Sequence, residues 1–214
     1  MKAKTQFLLL VAVMLSATSC YKYPSDTEFL DERDVVLTMY DTKVDFTEFK
    51  TFAIVDSIGL IKDDDTVVVR ISNDTTKAVL DRIAQDMNQR GFTKVDKEQH
   101  PDLAINVVAI KTLNTIYYYP GYWWNYPGYY TPDYWGWYDW GYYYPWYPTY
   151  IYQYETGTLV IDIMDQKHAD PVSKTIPVVF NAYIRGILNG HHSLDQVLGD
   201  VDQAFAQTPQ LQTN

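Results

Sequence analysis

Four histidines, a run of three aspartates and a single cysteine are the residues of this 214-residue chain from which a reactive or metal-binding site would have to be built. His100 precedes Pro101 in a predicted turn, His168 lies in a turn predicted at Asp165 to Asp170, and His191 and His192 stand between the last predicted strand and the last helix. Adjacent side chains of an extended chain point to opposite sides, so His191 and His192 do not readily hold one ion together. Asp63-Asp64-Asp65 offers the oxygens that calcium prefers. A calcium loop, however, needs spaced ligands and a terminal bidentate acid, so the run reads as a solvated turn. Asp162 interrupts an apolar strand between Ile161 and Ile163, and alternation places it on the opposite, wetter face of that strand. The chain has no G-x-S-x-G elbow, no H-E-x-x-H, no phosphate-binding loop and no dinucleotide fingerprint. No catalytic set, cofactor or metal is expected, and the chain is read as a non-enzyme.

Cys20 has a different chemistry in view. Lys2 and Lys4, the apolar run from Phe7 to Leu15 and the small residues Ala17-Thr18-Ser19 make residues 1–19 a secretory signal peptide that ends on it. Ala-Thr-Ser-Cys resembles a bacterial lipobox, whose cysteine sulfur is acylated and becomes the new N-terminus. As the only cysteine it forms no internal disulfide, and metal sites built on several thiolates are excluded. Each buried methylene of an acyl chain contributes about 0.8 kcal/mol, so several chains on Cys20 anchor the protein without a membrane-spanning helix. The expected place is the cell envelope, anchored to the outer membrane, on its periplasmic or its outer side. Cleavage removes Lys2 and Lys4, leaving 15 basic against 27 acidic residues, a balance of −12. Such a chain has no electrostatic footprint for a phosphate backbone, so nucleic acid is not an expected partner. Asp26, Glu28, Asp31, Glu32 and Asp34 make residues 20–33 and their junction with the body an acidic tether, which also resembles the export signals of some surface lipoproteins. Asp56-Ser57-Ile58, Asp65-Thr66-Val67 and Asp74-Thr75-Thr76 resemble a short bacterial O-glycosylation acceptor.

The elements that would position these residues start near Asp34. Val35, Leu37 and Met39 alternate, and Phe49, Phe52, Ile54 and Val55 form a second apolar stretch; both read as strands. Between Gly59 and Asp65 the run Lys62-Asp63-Asp64-Asp65 marks a turn, and Val67 to Ile71 reads as a third strand. Val79, Leu80, Ile83, Ala84 and Met87 recur at helical spacing behind Ser72 or Asn73 as cap, with Gly91 at the C-terminal stop. Phe92 to Val95 is a brief strand. Stronger strands follow at Leu103 to Ala109, Gly157 to Met164 and Ile176 to Leu188. Ser193 and Gln196 fit a capping box ahead of Leu194, Val197, Leu198, Val201 and Phe205, and Pro209 closes this second helix. These elements predict an α+β fold, a mostly antiparallel sheet with two amphipathic helices packed on it. One domain is expected over residues 34–209, with residues 210–214 as a tail.

Between two of the strands lies a long Tyr/Trp-rich inter-strand insertion, at about residues 117–152. Tyr117 to Pro148 carries 19 aromatic rings in 32 residues, including all six Trp, with Asp133 and Asp139 as its only charges. Tyr122, Trp123, Trp124, Tyr129, Trp135, Trp137, Trp140 and Trp146 are its candidate ligand or partner contacts. Four readings stay open. The rings form a compact flap on the domain, bind an envelope protein or a second copy of the chain, stack on a glycan, or settle among lipid headgroups. A glycan-hydrolysing protein using Asp133 and Asp139 is the enzymatic alternative, because glycosidases need two positioned carboxylates. Acids in a Gly- and Pro-rich loop are poorly preorganised for that task.

"DFTEFKTFAIVD" at Asp45 to Asp56, "GTLVIDIMD" at Gly157 to Asp165 and the closing strand and helix "FNAYIRGILNG...SLDQVLGDVDQAF" together resemble the domain of unknown function 4136 of bacterial lipoproteins. Phe180 and Tyr183 stand in the strand where that family usually has a Trp, and the aromatic insertion is longer than usual. The resemblance implies an envelope lipoprotein with an α+β domain and brings no catalytic residues.

Overall fold

A computed structural model describes residues 35–62, 69–112, 135, 144–146, 157–170, 172–187 and 192–213, all within one compact unit, Asp34–Asn214. Its strands are β1 (Val36–Tyr40), β2 (Thr51–Ile54), β3 (Ile58–Lys62), β4 (Val69–Ile71), β5 (Thr93–Lys94), β6 (Leu103–Thr112), β7 (Tyr144–Trp146), β8 (Thr158–Asp165) and β9 (Thr175–Ile184). Two helices, α1 (Asp74–Gln89) and α2 (Leu194–Ala206), complete the α+β fold.

The sheet runs in the order β1-β9-β8-β6-β2-β5. Its long pairings are antiparallel: β6 with β8 from Leu103↔Asp165 to Ile110↔Thr158, β8 with β9, and β9 with β1. The parallel pairings are shorter. β2 and β3 lie one after the other along the same edge of β6, β2 at Leu103–Ile105 and β3 at Val108–Thr112. Asp102 fixes the first of these, since its carboxylate accepts from the backbone N–H groups of Lys50 at 2.7 Å and Thr51 at 3.0 Å. β3 lies where the sequence pattern predicts no strand, just ahead of the predicted turn, which begins at its last residue Lys62. Gly59 breaks the apolar alternation there, and the strand exists because the free edge of β6 supplies its ladder, a non-local cause.

The helices begin where the caps predict. Asn73 accepts from the Thr76 N–H and Ser193 from the Gln196 N–H, each within a full capping box. Gly91 follows α1 at φ 90°, a conformation that favours glycine. α2 lies on β9, where Phe205 stacks on Phe180 at 5.6 Å, and α1 lies beside α2, joined to it by Arg82 and Asp202 at 2.8 Å. The predicted tail does not hang free. Leu211 is fully buried and the Thr213 N–H donates to the Arg90 carbonyl at 3.0 Å, so residues 210–213 close the end of the helical layer. β9 stops at Ile184 rather than Leu188; Arg185 still bonds to Val35, but Gly186 turns at φ 87°.

Alternation divides the central strands into two sets. Ile105, Val107, Ile161, Ile163, Phe180 and Ala182 face the helices. Asn106, Val108, Val160, Asp162, Asn181 and Tyr183 face the other way. The second set is as buried as the first.

Candidate functional site

Of the nine predicted contact and lipidation residues, Cys20, Tyr122, Trp123, Trp124, Tyr129, Trp137 and Trp140 lie outside the described residues. Trp135 is 4% exposed and belongs to the hydrophobic core. Trp146 ends β7, which runs parallel to the first residues of β9, Tyr144 opposite Thr175 and Trp146 opposite Pro177. Asp63 to Asp65, Asp133, Asp139 and His191 also fall outside the described residues.

The sheet face turned away from the helices carries the most unusual side chains. Asn106, Asp162 and Asn181 stand directly opposite one another on β6, β8 and β9, forming a polar row across three strands. They are 0%, 1% and 3% exposed. Asp162 is therefore not on a wet face, as alternation alone suggested. The alternation is right, but this second face is covered too. Asn181 donates its amide N–H to the Asp162 carboxylate. Among the described residues the Asn106 side chain and the Asn181 Oδ1, all buried, have no hydrogen-bond partner; a buried polar group left so costs about 1–3 kcal/mol. The signal for this row was present in the sequence as one polar residue in each of three apolar strands. Only the register shows that the three align.

A second cluster joins the β8–β9 turn to the short 3-10 turn Phe46–Glu48. His168 sits between Asp165, whose Oδ2 is 2.8 Å from Nδ1, and Glu48, whose Oε2 is 3.7 Å from Nε2. The His168 backbone N–H also donates to Asp165. Burial pushes the Asp165 carboxyl up, against the pull of its hydrogen bonds to His168 and of the charges on His168 and Lys167. An Asp–His pair of this kind orients a general base in hydrolases. Here the far nitrogen faces the Glu48 side chain rather than a hydroxyl or thiol nucleophile. Lys167 donates to the Glu48 carbonyl at 2.8 Å and lies over the Phe49 ring, which meets His168 edge-on at 5.9 Å. The cluster is a clamp between two turns, marked in the sequence by Asp165 and His168 three residues apart.

His100 caps the 3-10 turn Lys97–Gln99 in the left-handed region at φ 54° and is exposed. Among the described residues no group of three His, Cys, Asp or Glu could hold a metal, and no helix is long and apolar enough to cross a membrane. Of the three glycosylation-like triplets, Ser57 is buried with its hydroxyl held by Asp56 and Arg70, and Thr75 is exposed in the first turn of α1. Thr66 lies outside the described residues.

This arrangement of sheet and helices defines a class with known members. The family profile of the domain of unknown function DUF4136 matches residues 36–210, and the chain belongs to that family. Among solved structures it is similar to a DUF4136 family protein from Bacteroides thetaiotaomicron, with 30% identity and a TM-score of 0.70 over 85% of this chain and 98% of that one. A PelC dodecamer from Paraburkholderia phytofirmans is a distant likeness, with 9% identity and a TM-score of 0.41 over 85% of this chain and 100% of the other. No curated protein matches the chain.

Proposed function

We infer that this DUF4136 protein is a lipid-anchored, non-enzymatic envelope protein. Cys20 carries its acyl chains, and its aromatic segment supplies a surface that binds another envelope protein, a second copy of the chain or a glycan. The observation that carries this reading is one of sequence: a leader ends on the chain's only cysteine, and the domain behind it holds 19 aromatic rings within 32 residues. An ordinary monomer exposes contiguous apolar patches of at most a few hundred Å². Rings that bury about 150–250 Å² each exceed that many times over, so part of this surface is expected to meet a partner.

Two measurements test it. Cys20→Ser should move the protein from the membrane fraction to the soluble one and abolish acyl labelling; persistence on membranes would refute the anchor. A glycan array and turnover screen should be run with the intact chain beside a Trp123→Ala, Trp124→Ala, Trp137→Ala, Trp140→Ala variant. Loss of binding in the variant is expected, and turnover by the intact chain would refute the non-enzymatic reading.

A further inference from the structure

We propose that the outer edge of β1 is a strand-pairing surface whose occupant is a second copy of the same edge, so that two chains join antiparallel about Thr38. This interface uses none of the aromatic candidates and goes beyond the binding role proposed above.

The first argument is which backbone groups are left over. β1 is an outermost strand of the sheet, with β9 as its neighbour. The Arg185 N–H donates to the Val35 carbonyl and the Asp41 N–H to the Val179 carbonyl, each at 3.0 Å, so the odd-numbered residues from Val35 to Asp41 turn their backbone groups towards β9. Val36, Thr38 and Tyr40 therefore turn theirs outward. Among the described residues these outward groups have one partner, the Gln207 side chain, whose Nε2 donates to the Val36 carbonyl at 3.3 Å. Its Oε1 accepts from the Thr38 hydroxyl and leaves the Thr38 N–H aside. A bond of that length at the rim of the sheet is readily exchanged for one from a peptide N–H.

The second is the contrast with the other end of the sheet. There β5 has only two residues, one of them Lys94, and both are exposed. Short edge strands and lysines are the usual guards against edge-to-edge pairing. β1 has five residues and no charge, and its Leu37 is 49% exposed. By the same rule it is an open template.

The third decides the occupant. An antiparallel edge is its own complement about a two-fold axis. With Thr38 opposite Thr38 of the second copy, Val36 and Tyr40 of each chain meet Tyr40 and Val36 of the other. Three such pairs exchange about six backbone hydrogen bonds at two per pair. Leu37 then falls opposite Met39 of the second copy in a closely spaced pair, which covers the exposed leucine. Because β1 is uncharged, two copies of a chain with a formal net charge of −10 meet here with no like charges opposed. The same lack of charge gives the edge nothing with which to select an acidic or basic segment of another protein. Five residues make a short edge, so the dimer is weak and its population rises with concentration.

The test is sedimentation equilibrium of the full chain in mild detergent, from about 1 to about 500 μM, beside Thr38→Pro and Leu37→Lys. Proline at this position removes an outward N–H that the single chain does not use in its sheet. Leu37→Lys places a charge on an exposed side chain and keeps the test valid if the proline variant does not fold. The parent should show a monomer–dimer equilibrium, and either substitution should raise its dissociation constant about tenfold or more. A parent that stays monomeric over the whole range would overturn the proposal. So would an assembly that both substitutions leave unchanged, which would place self-association on another surface.

Discussion

Asp86 shows how a single side chain sets a pH response in this domain. Its carboxyl is half-buried on α1 and pushed up to about 6, chiefly by desolvation and secondarily by Asp202, with Arg90 and Arg82 pulling the other way. An acid whose folded value lies above its unfolded value of 3.8 destabilises the fold while both states are ionised. As the pH falls from about 6 towards 3.8, the folded protein takes up a proton before the unfolded chain does, and stability rises. The gain is on the order of 1 kcal/mol once solvent screening at a half-buried site is allowed for. Asp86→Asn should therefore melt higher than the parent at pH 7–8 and lose that rise between pH 6 and 4; parallel melting curves for the two proteins would contradict this. Asn106 gives a second case. Its side chain is buried and neither polar atom has a partner among the described residues, so Asn106→Val should be neutral or stabilise by about 1 kcal/mol in chemical denaturation. A loss of more than about 1 kcal/mol would show that the carboxamide has a partner. Neither site could be recognised in the sequence. Asp86 is one acid among 27 in the chain, and Asn106 is one polar residue in a strand. Their behaviour comes from neighbours brought by the fold.

The elements were legible in proportion to how local their causes are. Both helices announce themselves through caps and stripes of apolar residues, and Asn73 and Ser193 cap them as their spacing implies. The long strands alternate strongly enough to be seen without a partner. β3 was hidden because its pairing with β6 is its main support, and so was the docked C-terminus, because Leu211 is a lone apolar residue beyond a proline. That last misreading has a measurable consequence. A chain ending at Pro209 loses the buried Leu211, the bond from Thr213 to Arg90 and the contact of Lys50 with the Thr213 carbonyl at 3.4 Å. The expected cost is about 2–4 kcal/mol, mostly from the leucine. Leu211→Ala alone should reproduce most of it in urea denaturation, whereas an unpacked tail would leave the midpoint unchanged.

At the scale of the whole molecule, the two faces of the sheet are equally buried but only one of them carries the helices. The helix face is closed by α1, α2 and residues 210–213 from the same chain. The opposite face is about four strands wide, which at roughly 4.8 Å per strand and 25 Å of length amounts to about 500 Å². The 19 rings within residues 117–148 carry far more apolar surface than an ordinary monomer exposes, which is the ground for the envelope partner, second copy or glycan proposed above. Trp135 is buried in the hydrophobic core. A Trp this buried should give a blue-shifted fraction of the emission that acrylamide quenches poorly, and Trp135→Phe should remove that fraction selectively. Trp135→Ala should cost about 3–5 kcal/mol of stability, as the truncation of a large core residue does. A protected fraction that survives Trp135→Phe, or no loss of stability in Trp135→Ala, would contradict the core position of this residue.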